Sequence, residues 1–125
     1  IKLNYWFRKN KVYEHENALD IFNIVKRERF FDIWEGDVSR KSFKRLHRWR
    51  YSPTAAYGNN EVHLHPYKPR RLSVAETLAI QSLPKNFMLP HNIPLTQKFK
   101  MVGNGVPFLL AKGIAHEIRE FILSN

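Results

Sequence analysis

The sequence predicts an α+β fold, with a small irregular mixed lobe in the first half and helices in the second. Three patterns predict it. Two short strand-like runs flank a Gly-Asn-Asn turn near mid-chain. A Ser-x-x-Glu capping box opens a helix at Ser73. A long apolar stripe of helical period closes the chain.

The elements follow in order. Asn17 to about Arg29 is the first predicted helix, because Ala18, Ile21, Phe22 and Val25 recur at i, i+3, i+4 and i+7 and make one buried stripe. Asn17 is placed to cap it. Glu35-Gly36-Asp37 reads as a turn. Two short strands are expected between Ser52 and Leu64, about a loop at Gly58-Asn59-Asn60, with Val62 and Leu64 on one face. In the capping box, the Ser73 hydroxyl accepts from the Glu76 amide and the Glu76 carboxylate accepts from the Ser73 amide. That helix should run to about Ser82 and stop before Pro84. Another is expected from about Pro94 to Val102, with Gly103 as its C-terminal stop. The last should begin at Pro107, which suits a first helical turn, and run to about Leu123. Leu110, Ile114, Ile118 and Phe121 form its i, i+4, i+8, i+11 stripe.

A length of 125 residues suits one small domain or part of a larger one. With 43% hydrophobic and 26% charged residues, the chain has the balance of a folded protein. Lys and Arg number 21 against 11 Asp and Glu, a net charge of +10 that calls for a polyanionic partner, nucleic acid first. The charge is concentrated: Arg40 to Arg50 holds six cations and no acid, and no acid occurs between Asp37 and Glu61. Phe43, Trp49, Tyr51 and Tyr57 are interleaved with it. Cysteine is absent, which excludes disulfides, Cys-ligated zinc and any thiolate nucleophile within the chain. No apolar run is long enough for a membrane span and no signal peptide is visible. The start at Ile1 rather than Met leaves room for residues upstream. His63-Leu64-His65 has a metal-ligand spacing but no evident third ligand. On residues alone, a DNA-binding module and a small RNA-binding protein both remain open.

Two segments carry a family resemblance. The run Arg70-Arg71-Leu72-Ser73-Val74-Ala75-Glu76, continuing through Gln81, Leu83, Pro84 and Phe87, resembles the ninth conserved motif of DNA cytosine-5 methyltransferases. Lys100-Met101-Val102-Gly103-Asn104-Gly105-Val106-Pro107 and the segment after it resemble the tenth. Ser82 stands where many members have Gly, and Gly105 where many have Ala or Ser. The stretch from Tyr51 to Asn60, ending at His65-Pro66, resembles the part of the target-recognition region before the ninth motif. The resemblance covers roughly residues 51–122. The family's Pro-Cys loop, Glu-Asn-Val motif and Phe-x-Gly-x-Gly turn do not occur here.

The resemblance implies the C-terminal part, or one subunit, of an enzyme that moves a methyl group from S-adenosylmethionine to C5 of cytosine. Residues 1–69 would be the target-recognition region. Residues 70–125 would hold helices that close the lobe and dock on a Rossmann-like methyltransferase domain missing from this chain. The implied partners are double-stranded DNA and an N-terminal catalytic segment or partner subunit. The implied location is the bacterial cytoplasm or nucleoid. Enzymes of this kind flip the target base, so the lobe must read its neighbours. Arg45 and Arg48 are the base-reading candidates, Arg being suited to guanine O6 and N7. Lys44 and Arg50 are expected on phosphates. By the resemblance, Thr54 would bond a phosphate beside the flipped nucleotide, and Tyr57, Gly58, Asn59 and Asn60 would form a second recognition loop. Arg71, Ser73, Glu76 and Gln81 are expected as scaffold. Asn104 and Gly105, taken as the N-terminus of the last helix, are expected at the methionine end of the cofactor.

Overall fold

The computed structural model describes residues 2–22, 32–39, 43–53, 62–105 and 108–124. Its elements are α1 (Leu3–Lys9), β1 (Phe43–Arg45), β2 (Val62–Leu64), α2 (Val74–Ile80), α3 (Leu95–Asn104) and α4 (Phe108–Ser124).

Helix α1 is not among the predicted elements, although Leu3, Trp6 and Phe7 fall at i, i+3 and i+4. It spans seven residues, and its N-cap, Lys2, makes no side-chain capping bond. Tertiary contacts sustain it instead. Leu3 and Phe7, one turn apart, are buried in the core. Two first-turn amides find carbonyls on the basic tract: Leu3 N donates to Arg50 O at 3.2 Å and Asn4 N to Arg48 O at 2.9 Å.

The helix expected from Asn17 does not begin there. Residues 17–19 form a turn and 20–22 are irregular, while the rest of that prediction lies outside the described residues. Asn17 is fully buried and serves a long-range role: Nδ2 donates to Leu89 O and Leu89 N donates back to Oδ1, each at 3.0 Å. Its backbone faces α2, where Val74 N donates to Asp20 O at 2.9 Å and Ala75 N to Asn17 O at 3.3 Å. A side chain that bonds elsewhere cannot cap its own helix.

Of the two strands expected about Gly58, the second is present as β2, and most of the first, with the loop, lies outside the described residues. Ser52 and Pro53 are not in a strand, and residues 54–61 lie outside the described residues. Strand β2 pairs in parallel with β1, in the register Phe43↔Val62, Lys44↔His63 and Arg45↔Leu64. A parallel pair requires a crossover connection rather than a tight turn. Fully buried Leu64 packs with Ile33 and Phe43. It also forms an antiparallel bridge with Arg71. The turn at residues 35–36 is present, with Gly36 at φ +87°. A Cβ there would meet Arg50 Nη1 and His47 Cδ2, both at 3.1 Å.

Helix α2 is the centre of the fold. Both halves of the capping box form, Ser73 N donating to Glu76 Oε2 at 3.0 Å and Glu76 N to Ser73 Oγ at 3.2 Å. Every residue from Val74 to Ala79 is buried, because α2 serves two cores. Ala75 and Ala79 face Leu3, Phe7, Val12, Leu46 and Leu72. Val74 and Leu78 face Leu89, Phe99 and Val102. The first cluster therefore joins residues on both sides of position 69.

Helix α2 ends at Ile80, slightly before the expected Ser82, and Ser82 adopts φ +55°. Helix α3 passes through Gly103, the expected stop, and ends at Asn104 with extended Gly105 after it. Helix α4 starts at Phe108 and buries none of its residues. Its large apolar side chains, from Phe108 to Leu123, are 43–69% exposed. Among the described residues, no helix is long and apolar enough to cross a membrane.

Candidate DNA interface

The basic tract is held down by the turn beneath it. Arg45 N donates to Asp37 O at 2.9 Å and Gly36 N to Leu46 O at 3.2 Å. Arg45, expected as a base reader, is 7% exposed, and its Nη1 reaches His65 O at 3.3 Å. Burial lowers its pKa. It lies at the end of β1 beside Leu64 and its side chain turns inward, away from the exposed surface of the tract on which the sequence placed a base reader.

Arg48 is engaged by an acid. Its Nε donates to Glu35 Oε1 at 2.9 Å, its Nη2 to Oε2 at 3.1 Å and its amide to Oε1 at 3.0 Å. The guanidinium lies 4.5 Å from the Tyr67 ring centroid. Those hydrogen bonds hold the Glu35 carboxyl below the usual carboxylate range. Sequence reasoning did not connect residue 35 with 48, since only the turn at Gly36 brings them together. Arg50 is exposed and Lys44 half-buried. Thr54, Tyr57, Gly58, Asn59 and Asn60 lie outside the described residues.

Beneath the tract, His65 and Glu76 organise a buried polar cluster. His65 Nδ1 accepts from the amides of Tyr67 at 3.2 Å and Lys68 at 3.1 Å. Its proton therefore sits on Nε2, which meets Tyr13 Oη at 3.1 Å, and Tyr13 Oη meets Tyr67 Oη at 3.0 Å. Burial, together with the charges of Arg70, Lys68 and Arg45, pushes the His65 pKa down to about 3. Both nitrogens are engaged in a neutral ring. Among the described residues, no three His, Cys, Asp or Glu side chains gather as metal ligands.

The arginine that serves Glu76 is Arg70. Its Nη1 donates to Glu76 Oε2 at 3.1 Å, and its Nη2 bonds Oε1. Arg71, named in the sequence as a scaffold residue, covers the Phe22 ring at 4.6 Å. The Arg-x-Leu spacing of residues 70–72 was the available signal. Ser73 and Glu76 form the predicted capping box.

Gln81 ties three helices together. Its Nε2 donates to Val102 O at 2.9 Å and Gly105 O at 3.3 Å, both at the end of α3. Its carbonyl accepts from Phe108 N at 3.0 Å, and Ser82 Oγ accepts from Leu109 N at 3.1 Å. The amides of Phe108 and Leu109, at the start of α4, are thus already taken. Asn104 ends α3 rather than starting α4. Asn104 and Gly105 are both exposed at this junction.

The sequence model of the C-5 cytosine-specific DNA methylases matches residues 2–120. The chain belongs to this family. It is 59% identical over 123 residues to the type II methyltransferase M.NmeDI of Neisseria meningitidis serogroup C, covering 98% of this chain and 29% of that methylase. It is 29% identical over 92 residues to the type II methyltransferase M.AquIB of a Picosynechococcus species, covering 66% of each. The chain thus spans less than a third of one relative and most of another that is itself short. No solved structure matches it. In this methylase chain the residues resembling the ninth motif build α2 and its buried ion pair, and those resembling the tenth span the junction of α3 and α4.

Proposed function

We propose that this chain is the target-recognition part of a DNA cytosine-5 methyltransferase, which transfers a methyl group from S-adenosylmethionine to C5 of a cytosine in a specific sequence. The catalytic thiolate, the carboxylate at cytosine N3 and most of the cofactor pocket belong to a catalytic part. That part is either an N-terminal segment of the same polypeptide or a partner subunit. The relative of which this chain covers 29% fits the first arrangement, and the short relative of which it covers 66% fits the second.

The observation that carries this reading is α4. A seventeen-residue helix whose apolar stripe, Leu110, Ile114, Ile118 and Phe121, is 52–69% exposed is unfavourable in water unless another surface covers that stripe. Gly113 adds to the argument. A mid-helix glycine costs about 0.5–1 kcal/mol relative to Ala, and a Cβ there would meet no atom within 4 Å. Close approach of another backbone gives that glycine a purpose. The rest of the enzyme, a Rossmann-like domain, is the surface that α4 docks on.

Residues 1–69 then act on DNA and residues 70–125 close the lobe against the catalytic domain. Lys44 and Arg50 contact phosphates, as does Thr54. Arg48, already oriented by Glu35 and Tyr67, exchanges part of that pairing for a base edge. Residues 57–60 form a second reading loop. The bound cofactor supplies the methyl group. Because α4's first amides and the backbone of Gly105 are already hydrogen-bonded, the exposed Asn104 side-chain amide is the group this chain offers to its methionine end.

The test is methyl transfer from labelled S-adenosylmethionine. The chain alone should give no incorporation into DNA, and adding the catalytic part should give C5-methylated cytosine at one sequence. Incorporation by the chain alone, or none by the assembly, would refute the reading.

A further inference from the structure

Helix α1 forms one wall of an open groove of about 860 Å³ lined by Lys2, Asn4, Tyr5, Arg8, Lys9 and Trp49. Three of the six carry positive charge and none is acidic. Tyr5 and Trp49 are about half exposed. Lys9 Nζ lies 4.8 Å from the Trp6 ring centroid and 5.8 Å from that of Tyr5, so its charge is held on the groove wall. Arg8 and Lys9 occupy the last turn of α1, where the helix dipole favours cations.

The groove is continuous with the basic tract. The amides of Leu3 and Asn4 bond the carbonyls of Arg50 and Arg48, so α1 and the tract form a single surface. Glu35, which lies against the tract, is already paired with Arg48. Cations beside exposed aromatic rings suit a sugar–phosphate backbone, the phosphates meeting the cations and the sugars lying on the rings.

We propose that this groove is a second, sequence-independent site for duplex DNA, in which Lys2, Arg8 and Lys9 hold backbone phosphates and Trp49 packs on a sugar. The proposal rests on the reading of the chain as DNA-binding and adds a contact separate from base recognition. Duplex lying across α1 steadies the substrate while the loops read the target.

The test uses the chain and a random-sequence duplex, with affinity followed by fluorescence anisotropy over a range of salt. The Arg8→Ala/Lys9→Ala variant places the best helix former at two exposed positions and should retain the circular dichroism of the parent. Each lost phosphate contact lowers the slope of log K against log salt by about 0.9, so the double variant should lose about 2. The charge-conserving Arg8→Lys/Lys9→Arg pair should keep the parental slope. Trp49→Ala should weaken binding several-fold and leave the slope unchanged. If the parent chain binds DNA and the double variant keeps its slope, the groove is not a DNA site, while the recognition reading stands. If the parent chain binds anionic phosphatidylserine vesicles but no duplex, both fall. If the double variant loses its helical signal, Arg8→Gln and Lys9→Gln singly decide the matter, each expected to lower the slope by about 1.

Discussion

Replacing Arg70 by Met should destabilise the lobe through Glu76, whereas the same change at Arg71 should not. Glu76 is wholly buried and accepts two hydrogen bonds from Arg70 and one from the Ser73 amide. Met preserves much of the arginine stem but removes the charge and both donors. A buried carboxylate left without its cation costs about 3–5 kcal/mol. The retained Ser73 amide and the partial exposure of Arg70 place the expected loss at the lower end, about 3 kcal/mol. For a chain of 125 residues that corresponds to a fall in Tm of about 12 °C. Arg71 covers Phe22 without bonding Glu76, and Met keeps most of that contact, so its loss should stay below about 1 kcal/mol. The assay is urea unfolding of Arg70→Met, Arg71→Met, Glu76→Gln and the two doubles. The coupling energy should be about 2 kcal/mol for residues 70 and 76, and near zero for 71 and 76. Equal coupling for the two arginines would refute the assignment of Arg70 as the partner.

Three other outcomes follow from the same contacts. His65 is held neutral, with its pKa at about 3, while the unfolded chain protonates it near 6.5. Its stabilisation is therefore complete above pH 6.5 and declines by about 1.4 kcal/mol per unit as pH falls toward 3; His65→Asn should flatten that slope between pH 6.5 and 4.5 in denaturation curves, and an unchanged slope would exclude His65 as its source. Gly113→Ala should raise the thermal stability of the isolated chain by about 0.5–1 kcal/mol yet weaken its assembly with the catalytic part; improved assembly would count against close approach at α4. Asn104→Ala should leave the melting temperature alone, since Asn104 caps nothing, and raise the cofactor dissociation constant of the assembled enzyme about ten- to a hundredfold by calorimetric titration. A loss of stability with unchanged affinity would give Asn104 a purely structural role.

Local chemistry was legible in the sequence wherever the partners lie within a few residues of one another. Ser73 and Glu76 form their capping box because both ends of each bond belong to one helical turn. The apolar stripe of α4 and the glycine turn at residue 36 are read correctly for the same reason. The whole-chain family match likewise agrees with what residues 70–87 and 100–107 suggest. Tertiary structure decided the rest. Asn17 looks like a helix cap until Leu89, 72 residues away, takes its side chain. Arg45 and Arg48 look alike in a basic tract. One is turned into the interior at the end of a parallel strand, and the other meets Glu35 across a turn. Helix α1 is too short to hold itself together and exists because Leu3 and Phe7 reach a core built largely from later residues. Periodicity and capping report the free energy of a single turn, while burial and long-range pairing depend on which segments meet. In this chain the meeting point is α2, packed against a core on each of two sides.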